Sequence, residues 1–264
     1  MHTSVRAKKF LGQHFLKDQS IATEIVNALV KLYPSGPVLE VGPGMGVLTK
    51  YLLDFPKLVT WAAEVDQESV SYLMAYYPKL SERLLQESFL DLKLNERFGE
   101  EVAVIGNFPY NISSQIVFHI IDFRQHVPVM VGMFQKEVAE RLAAGHGGKE
   151  YGILTVLVQA YYDITYLFTV HEEVFDPPPK VKSGVISMVR KRQSLPCDEL
   201  LFKKVVKAAF NQRRKKLRNA ISAFGLNDEQ LGDFAGKRAE ELSVQAFIDL
   251  TNLIANLKDG KNSG

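Results

Sequence analysis

Cysteine is almost absent from this sequence: Cys197 is the only one in 264 residues. A single thiol excludes an intramolecular disulfide and a thiolate metal cluster, so no bound metal is expected. Long apolar runs are missing too. No stretch approaches the ~18 residues of a membrane-spanning helix, and the basic, polar first residues lack the apolar segment of a secretory signal. A cytoplasmic protein with no membrane partner is the expectation. What remains is an ordinary globular composition, 46% hydrophobic and 23% charged, rich enough in apolar residues to exclude a disordered chain.

The net charge of +2 conceals an uneven distribution. Between Arg190 and Arg218 eleven basic residues face only Asp198 and Glu199, so this segment is +9 and the remainder of the chain carries −7. Such a block suits contact with a polyanion. A solvated helix face is the plainer explanation of a basic run taken alone.

Apolar spacing predicts helices over 20–32, 46–53, 67–76, 113–121 and 136–144. Short apolar runs predict strands over 38–41, 59–64, 83–86, 102–105, 127–134, 163–170 and 185–190. The run 153–160 is apolar on every side and fits either element. Alternation of strand and helix implies an α/β fold with helices on both faces of an open, Rossmann-like sheet. After residue 192 the strand signal stops, and helices are expected over 200–223, 228–234 and 244–257. The expected organisation is an α/β domain over 1–193 and a small all-α domain over 194–264, with disorder from residue 259.

Two segments carry the chemistry. Gly42-Pro43-Gly44-Met45-Gly46 follows an apolar strand and precedes a helix, where glycines let backbone N–H groups approach a ligand. The G-x-G-x-G spacing is not the dinucleotide fingerprint. Glu64, ending the next strand, is placed to accept both hydroxyls of a ribose, with Asp66 as its rival. Loop, acid and strand order fit a class I methyltransferase, which would hold S-adenosyl-L-methionine through Gly42, Gly44 and Glu64.

The second segment, Asn107-Phe108-Pro109-Tyr110, closes the strand at 102–105. An exocyclic adenine nitrogen is a weak nucleophile because its lone pair is delocalised into the ring. Two acceptors aimed at its hydrogens reduce that delocalisation and stabilise the charge that develops. The Asn107 side chain and the Phe108 carbonyl supply them, Pro109 stiffens the corner, and Tyr110 offers a flat face to an unstacked base.

These segments sit within a longer resemblance. Phe10-Leu11-Gly12-Gln13-His14-Phe15-Leu16, Glu40-Val41-Gly42-Pro43-Gly44 and Asn107-Phe108-Pro109-Tyr110-Asn111-Ile112-Ser113 resemble the motifs of rRNA adenine dimethyltransferases. So do Gln135-Lys136-Glu137-Val138-Ala139, Phe175-Asp176-Pro177-Pro178-Pro179-Lys180-Val181 and Phe210-Asn211-Gln212-Arg213-Arg214-Lys215. The branch acting on the bacterial small subunit is the most similar. The resemblance implies methylation of N6 on two adjacent adenosines in the 3′-terminal hairpin loop of 16S rRNA, by a monomer acting on the small subunit or its precursor. It implies cofactor contacts at His14, Leu16, Gly42, Glu64 and Asn107, and stacking of Phe175 on the target base opposite Tyr110. Where the family carries an Asp for the cofactor's adenine, this chain has Ser88, with Glu87 and Asp91 as neighbours able to substitute. Arg213, Arg214, Lys215, Lys216 and Arg218 are expected on a helix that contacts rRNA phosphates. An enzyme on the same fold acting on the large subunit, and a non-catalytic ribosome-assembly factor, are the alternatives.

Overall fold

The computed structural model describes residues 5–8 and 11–262; Phe10 of the first motif lies outside them. Among the described residues the strands are β1 Phe15–Leu16, β2 Gly36–Val41, β3 Leu58–Ala63, β4 Leu84–Leu85, β5 Ala103–Asn107, β6 Val129–Gln135, β7 Tyr162–Val170, β8 Phe175–Asp176 and β9 Ser183–Arg190. The first helices are α1 Gln19–Leu32, α2 Thr49–Leu52, α3 Gln67–Tyr76, α4 Leu94–Phe98, α5 Ser113–Asp122, α6 Lys136–Ala143 and α7 Ile153–Gln159. Then follow α8 Glu199–Asn211, α9 Leu217–Ala220, α10 Asp228–Leu231 and α11 Val244–Asn262.

Seven strands form one sheet in the order β4-β3-β2-β5-β6-β9-β7. Their residues explain their place: Val104, Ile105, Met130 and Val131 are fully buried, as befits parallel strands covered on both faces. β2 pairs in parallel with β3 on one side and β5 on the other, so the winding reverses there. The crevice beyond the carboxyl ends of β2 and β5 is thus the topological switch point, where open α/β sheets bind ligands. β9 runs antiparallel to β6, in register from Val129↔Val189 to Gln135↔Ser183. α1 covers one face. Asp18 caps it by accepting from Ser20 N at 2.8 Å and Ile21 N at 3.2 Å, and Ala22, Ile25, Val26 and Leu29 form its buried stripe.

The chain divides into two compact units, residues 1–140 with 163–190, and residues 141–162 with 191–264. The linear division at 193 is corrected by this: 141–162 leaves the α/β unit. Its apolar run is the helix α7, which packs against α8. Gly147 N donates to Glu240 O at 2.6 Å and Lys191 Nζ to Gln159 O at 2.6 Å, tying the segment to the chain beyond 190. Periodicity shows that such a run is buried but not whose core it joins.

Two smaller expectations are also corrected. The helix expected over 200–223 breaks after Asn211, and Arg213–Lys216 form the turn to α9. Arg213 bends back to donate to Gly148 O at 3.2 Å, and Leu217 N is taken by Lys237 O at 2.8 Å. At the other end α11 continues to Asn262 instead of fraying at residue 259, since extending a formed helix adds a bond for each residue fixed.

Candidate active site

A cavity of about 420 Å³ lies at the switch point. It is within the range of small-molecule sites. His14, Leu16, Gly42, Gly44, Glu64, Ser88 and Asn107 all line it, as do Phe108, Pro109 and Tyr110. The structure therefore gathers both chemical segments, the N-terminal motif and the loop after β4 around one space.

The floor is built by the glycine loop. Gly42 and Gly44 hold φ of 65° and 55°, a left-handed conformation disfavoured for residues with a Cβ. Glu64, 3% exposed, ties the loop down: Oε2 accepts from Gly44 N at 3.0 Å and Oε1 from Asp66 N at 2.9 Å. Burial pushes the Glu64 carboxyl upward, against the pull of these backbone bonds. Asp66 faces other duties. It caps α3 through Ser69 N, pairs with Lys8, and is not part of the lining. Glu40 also lines the cavity, takes a 2.5 Å hydrogen bond from Thr49 Oγ1, and is pushed up to about 7 by burial.

The loop after β4 follows from the pairing of β4 with β3. Ser88 lines the cavity, and its Oγ accepts from Leu90 N at 3.2 Å. Glu87 lines it as well, yet its carboxylate pairs with Arg97 at 3.1 Å. Asp91 is exposed and outside the lining.

At the opposite wall β5 ends in Asn107, whose Nδ2 donates to His14 O at 2.8 Å, so the acceptor of that amide is Oδ1. Phe108 is 1% exposed and rests on the sheet. A Cβ at Gly132 of β6 would come within 2.0 Å of the Phe108 ring, so this mid-strand glycine makes the corner possible. Phe108 N donates to Met133 O at 3.1 Å, pinning the turn from the next strand. Tyr110 Oη meets Ser183 Oγ at 2.5 Å, and its ring stacks on His14 with centroids 5.4 Å apart. His14 Nδ1 in turn meets Pro177 O at 2.8 Å.

Phe175 is the expected site residue that the structure does not bring to the cavity. It is 1% exposed and outside the cavity lining, a member of the main hydrophobic cluster. β8 pairs antiparallel with β1, setting Phe175 against Leu16 in apolar surroundings. Among Arg213, Arg214, Lys215, Lys216 and Arg218, all but Arg213 are exposed; Arg213 approaches Glu240, and Arg218 pairs with Asp228 at 2.8 Å. Gly132, Ser183 and the short β1 and β8 strands escaped sequence reasoning. A glycine inside an apolar strand run was a usable signal; a serine after a proline-rich loop was not.

A doubly wound sheet with a glycine loop, a buried acid after the next strand and a cavity at the switch point defines a Rossmann-like class I methyltransferase. Comparison with known proteins agrees. The sequence model of the family described as ribosomal RNA adenine dimethylase matches residues 4–256. The chain is 57% identical over 253 residues to the ribosomal RNA small subunit methyltransferase A of Flavobacterium johnsoniae, covering 95% of this chain and 96% of that protein. It is 53% identical over 253 residues to the protein of that name from Cytophaga hutchinsonii, covering 95% and 98%. Among solved structures, a dimethyladenosine transferase from Plasmodium falciparum matches with a TM-score of 0.77 at 26% identity, over 94% of this chain and 98% of that one. The 23S rRNA methyltransferase ErmE shares the fold, with a TM-score of 0.70 at 22% identity over 91% and 99%.

The chain belongs to the ribosomal RNA adenine dimethylase family, whose enzymes use S-adenosyl-L-methionine. The cavity fits that cofactor. A Cβ built on Gly42 meets nothing nearer than Pro109 at 4.0 Å, so the loop backbone borders open space, and the Glu64 carboxylate lies beside it. Among the described residues no helix is long and apolar enough to cross a membrane.

Proposed function

We propose that this protein transfers methyl groups from S-adenosyl-L-methionine to N6 of two adjacent adenosines in the 3′-terminal hairpin loop of 16S rRNA, as a cytoplasmic monomer during small-subunit biogenesis. The observation that carries the reading is the convergence of Glu64, the glycine loop and the Asn107–Tyr110 corner on one cavity.

Glu64 accepts the ribose hydroxyls of the cofactor, its geometry set by Gly44 N and Asp66 N. Ser88 meets the cofactor's adenine, and His14 and Leu16 close the wall contributed by the N-terminal arm. The bound cofactor supplies an electrophilic methyl on a sulfonium. Tyr110 stacks the target adenine after it leaves its own stack in the loop. Asn107 Oδ1 and the Phe108 carbonyl accept from its N6 hydrogens, favouring a pyramidal nitrogen and stabilising its developing positive charge. Because both belong to a corner pinned by Met133 O and by His14 O, they are in place before the base arrives. Nothing in this scheme needs a strong base, since alignment is what the transfer lacks.

The residues from Arg190 to Arg218 belong to the second unit apart from Arg190 itself, and this helical unit docks the rRNA. Exposed Arg214, Lys215 and Lys216 contact phosphates and position the RNA without reading its sequence. The test is incubation with methyl-labelled S-adenosyl-L-methionine and ribosomal subunits lacking these modifications. Label in small-subunit RNA, lost with Asn107→Ala, is expected. Label confined to large-subunit RNA would overturn the choice of substrate.

A further inference from the structure

Tyr110 is the ring on which the proposed function seats the target adenine, and contacts from separate segments hold it. Pro109, at φ −58°, leads into the short turn Tyr110–Ile112. Ser113 Oγ donates to Tyr110 O at 2.9 Å, fixing the backbone end of the residue. His14 covers part of the ring at an interplanar angle of 30°. At the far end of the ring, Ser183 Oγ lies 2.5 Å from Tyr110 Oη.

Ser183 is well placed for this. It is fully buried and opens β9, directly opposite Gln135 of β6. β6 pairs with β5 up to Asn107↔Met133. The hydroxyl that meets Tyr110 and the backbone that carries Asn107 are therefore mounted on the same sheet, one strand apart. A tyrosine anchored at its backbone alone turns about two side-chain bonds; anchored also at Oη, the direction of its long axis is set, and the stacked His14 ring limits rotation about that axis. Burial raises the Tyr110 pKa, so the phenol keeps its proton and the pair remains a hydrogen bond between hydroxyls.

We propose that Ser183 is a positioning residue for methyl transfer: it fixes the direction in which the Tyr110 ring projects and thereby holds the exocyclic nitrogen of the stacked base within reach of Asn107 and the Phe108 carbonyl. This rests on the reading of Tyr110 as the base platform. A tilt of the platform displaces the nitrogen, and a misplacement of about 1 Å costs on the order of 10²-fold in rate. A serine that only satisfies a buried strand end would affect stability and leave the saturated rate alone.

The experiment measures single-turnover methyl transfer at saturating RNA and cofactor for wild type, Ser183→Ala, Tyr110→Phe and the double variant, with S-adenosylhomocysteine affinity measured alongside. Each single change is expected to lower the saturated rate roughly 10- to 100-fold while affinity for S-adenosylhomocysteine stays within about two-fold. The double variant is expected to be no slower than the slower single, because both remove one interaction. Ser183→Thr, which keeps a hydroxyl, is expected to recover most of the rate. A wild-type rate in Ser183→Ala or Tyr110→Phe, or losses that multiply in the double variant, would overturn the proposal. If Ser183→Ala does not fold, Tyr110→Phe removes the same bond from the half-buried partner and carries the test. Tyr110→Ala separates the two levels. A strong loss there beside a wild-type Ser183→Ala keeps the platform and rejects only Ser183, whereas a wild-type Tyr110→Ala rejects the platform and the proposal together.

Discussion

Replacement of Glu64 by alanine is expected to weaken S-adenosyl-L-methionine binding without unfolding the protein. The carboxylate is 3% exposed and already takes one backbone N–H on each oxygen, Gly44 at 3.0 Å and Asp66 at 2.9 Å. Each oxygen has a further lone pair for a ribose hydroxyl. Hydrogen bonds to a charged group contribute roughly 1.5–3 kcal/mol, so the dissociation constant is expected to rise roughly 10- to 150-fold. Glutamine is not a neutral substitute here: its amide nitrogen would face one of the two N–H donors, so Glu64→Gln is expected to weaken binding as well. The assay is isothermal titration with S-adenosyl-L-methionine, run beside Asp66→Asn. That control disturbs the Lys8 pair and the cap of α3 but leaves the cavity wall intact. Unchanged affinity in Glu64→Ala, or a larger loss in Asp66→Asn, would refute the assignment.

Asn107→Ala is expected to fold, to bind RNA and to lose on the order of 10²–10³ in single-turnover rate, as for removal of one preorganised transition-state partner; near-wild-type turnover would take Asn107 out of the chemistry. Glu40 gives a pH prediction. Its folded pKa of about 7 lies above the ordinary 4.5, so the native state holds the proton more tightly and stability falls as pH rises from 4.5 to 7. That interval corresponds to roughly 3 kcal/mol, and urea melts of Glu40→Gln are expected to show a flatter profile between pH 5 and 8; an unaltered profile would contradict the shift. Ser88→Asp is expected to tighten cofactor binding by roughly 1 kcal/mol, by replacing a neutral acceptor with a charged one; unchanged affinity together with a loss in Glu87→Ala would move the adenine contact to Glu87. Charge reversal at Arg214, Lys215 and Lys216 is expected to weaken small-subunit binding and flatten its salt dependence while sparing cofactor affinity; an identical salt slope would restore the solvated-surface explanation.

Much of the fold was legible because its signals are local. Asp66 caps a helix that spans the expected 67–76, and the apolar run at 102–105 became β5 with Asn107 at its end. The glycine loop and Glu64 were legible as a site because strand order alone brings the ends of β2 and β3 side by side. What escaped depends on contacts between distant segments. Phe175 reads the same in sequence whether it faces a base or a core, and its pairing with Leu16 joins segments about 160 residues apart that no local pattern links. The helical run at 153–160 gave its burial but not its allegiance, which is set by packing on α8 more than 40 residues later. The basic run was correct in composition and wrong in conformation. Its residues form a turn because Arg213 finds Gly148 O and Leu217 finds Lys237 O, partners no local pattern announces.

The most direct test of the account is nucleoside mapping of small-subunit rRNA before and after incubation with this protein and S-adenosyl-L-methionine, using subunits from a strain that lacks the enzyme. The account predicts N6,N6-dimethyladenosine at two adjacent positions of the 3′-terminal hairpin loop and nowhere else in that RNA. Methylation of cytosine, a single monomethylated adenosine, or modification outside that loop would contradict it.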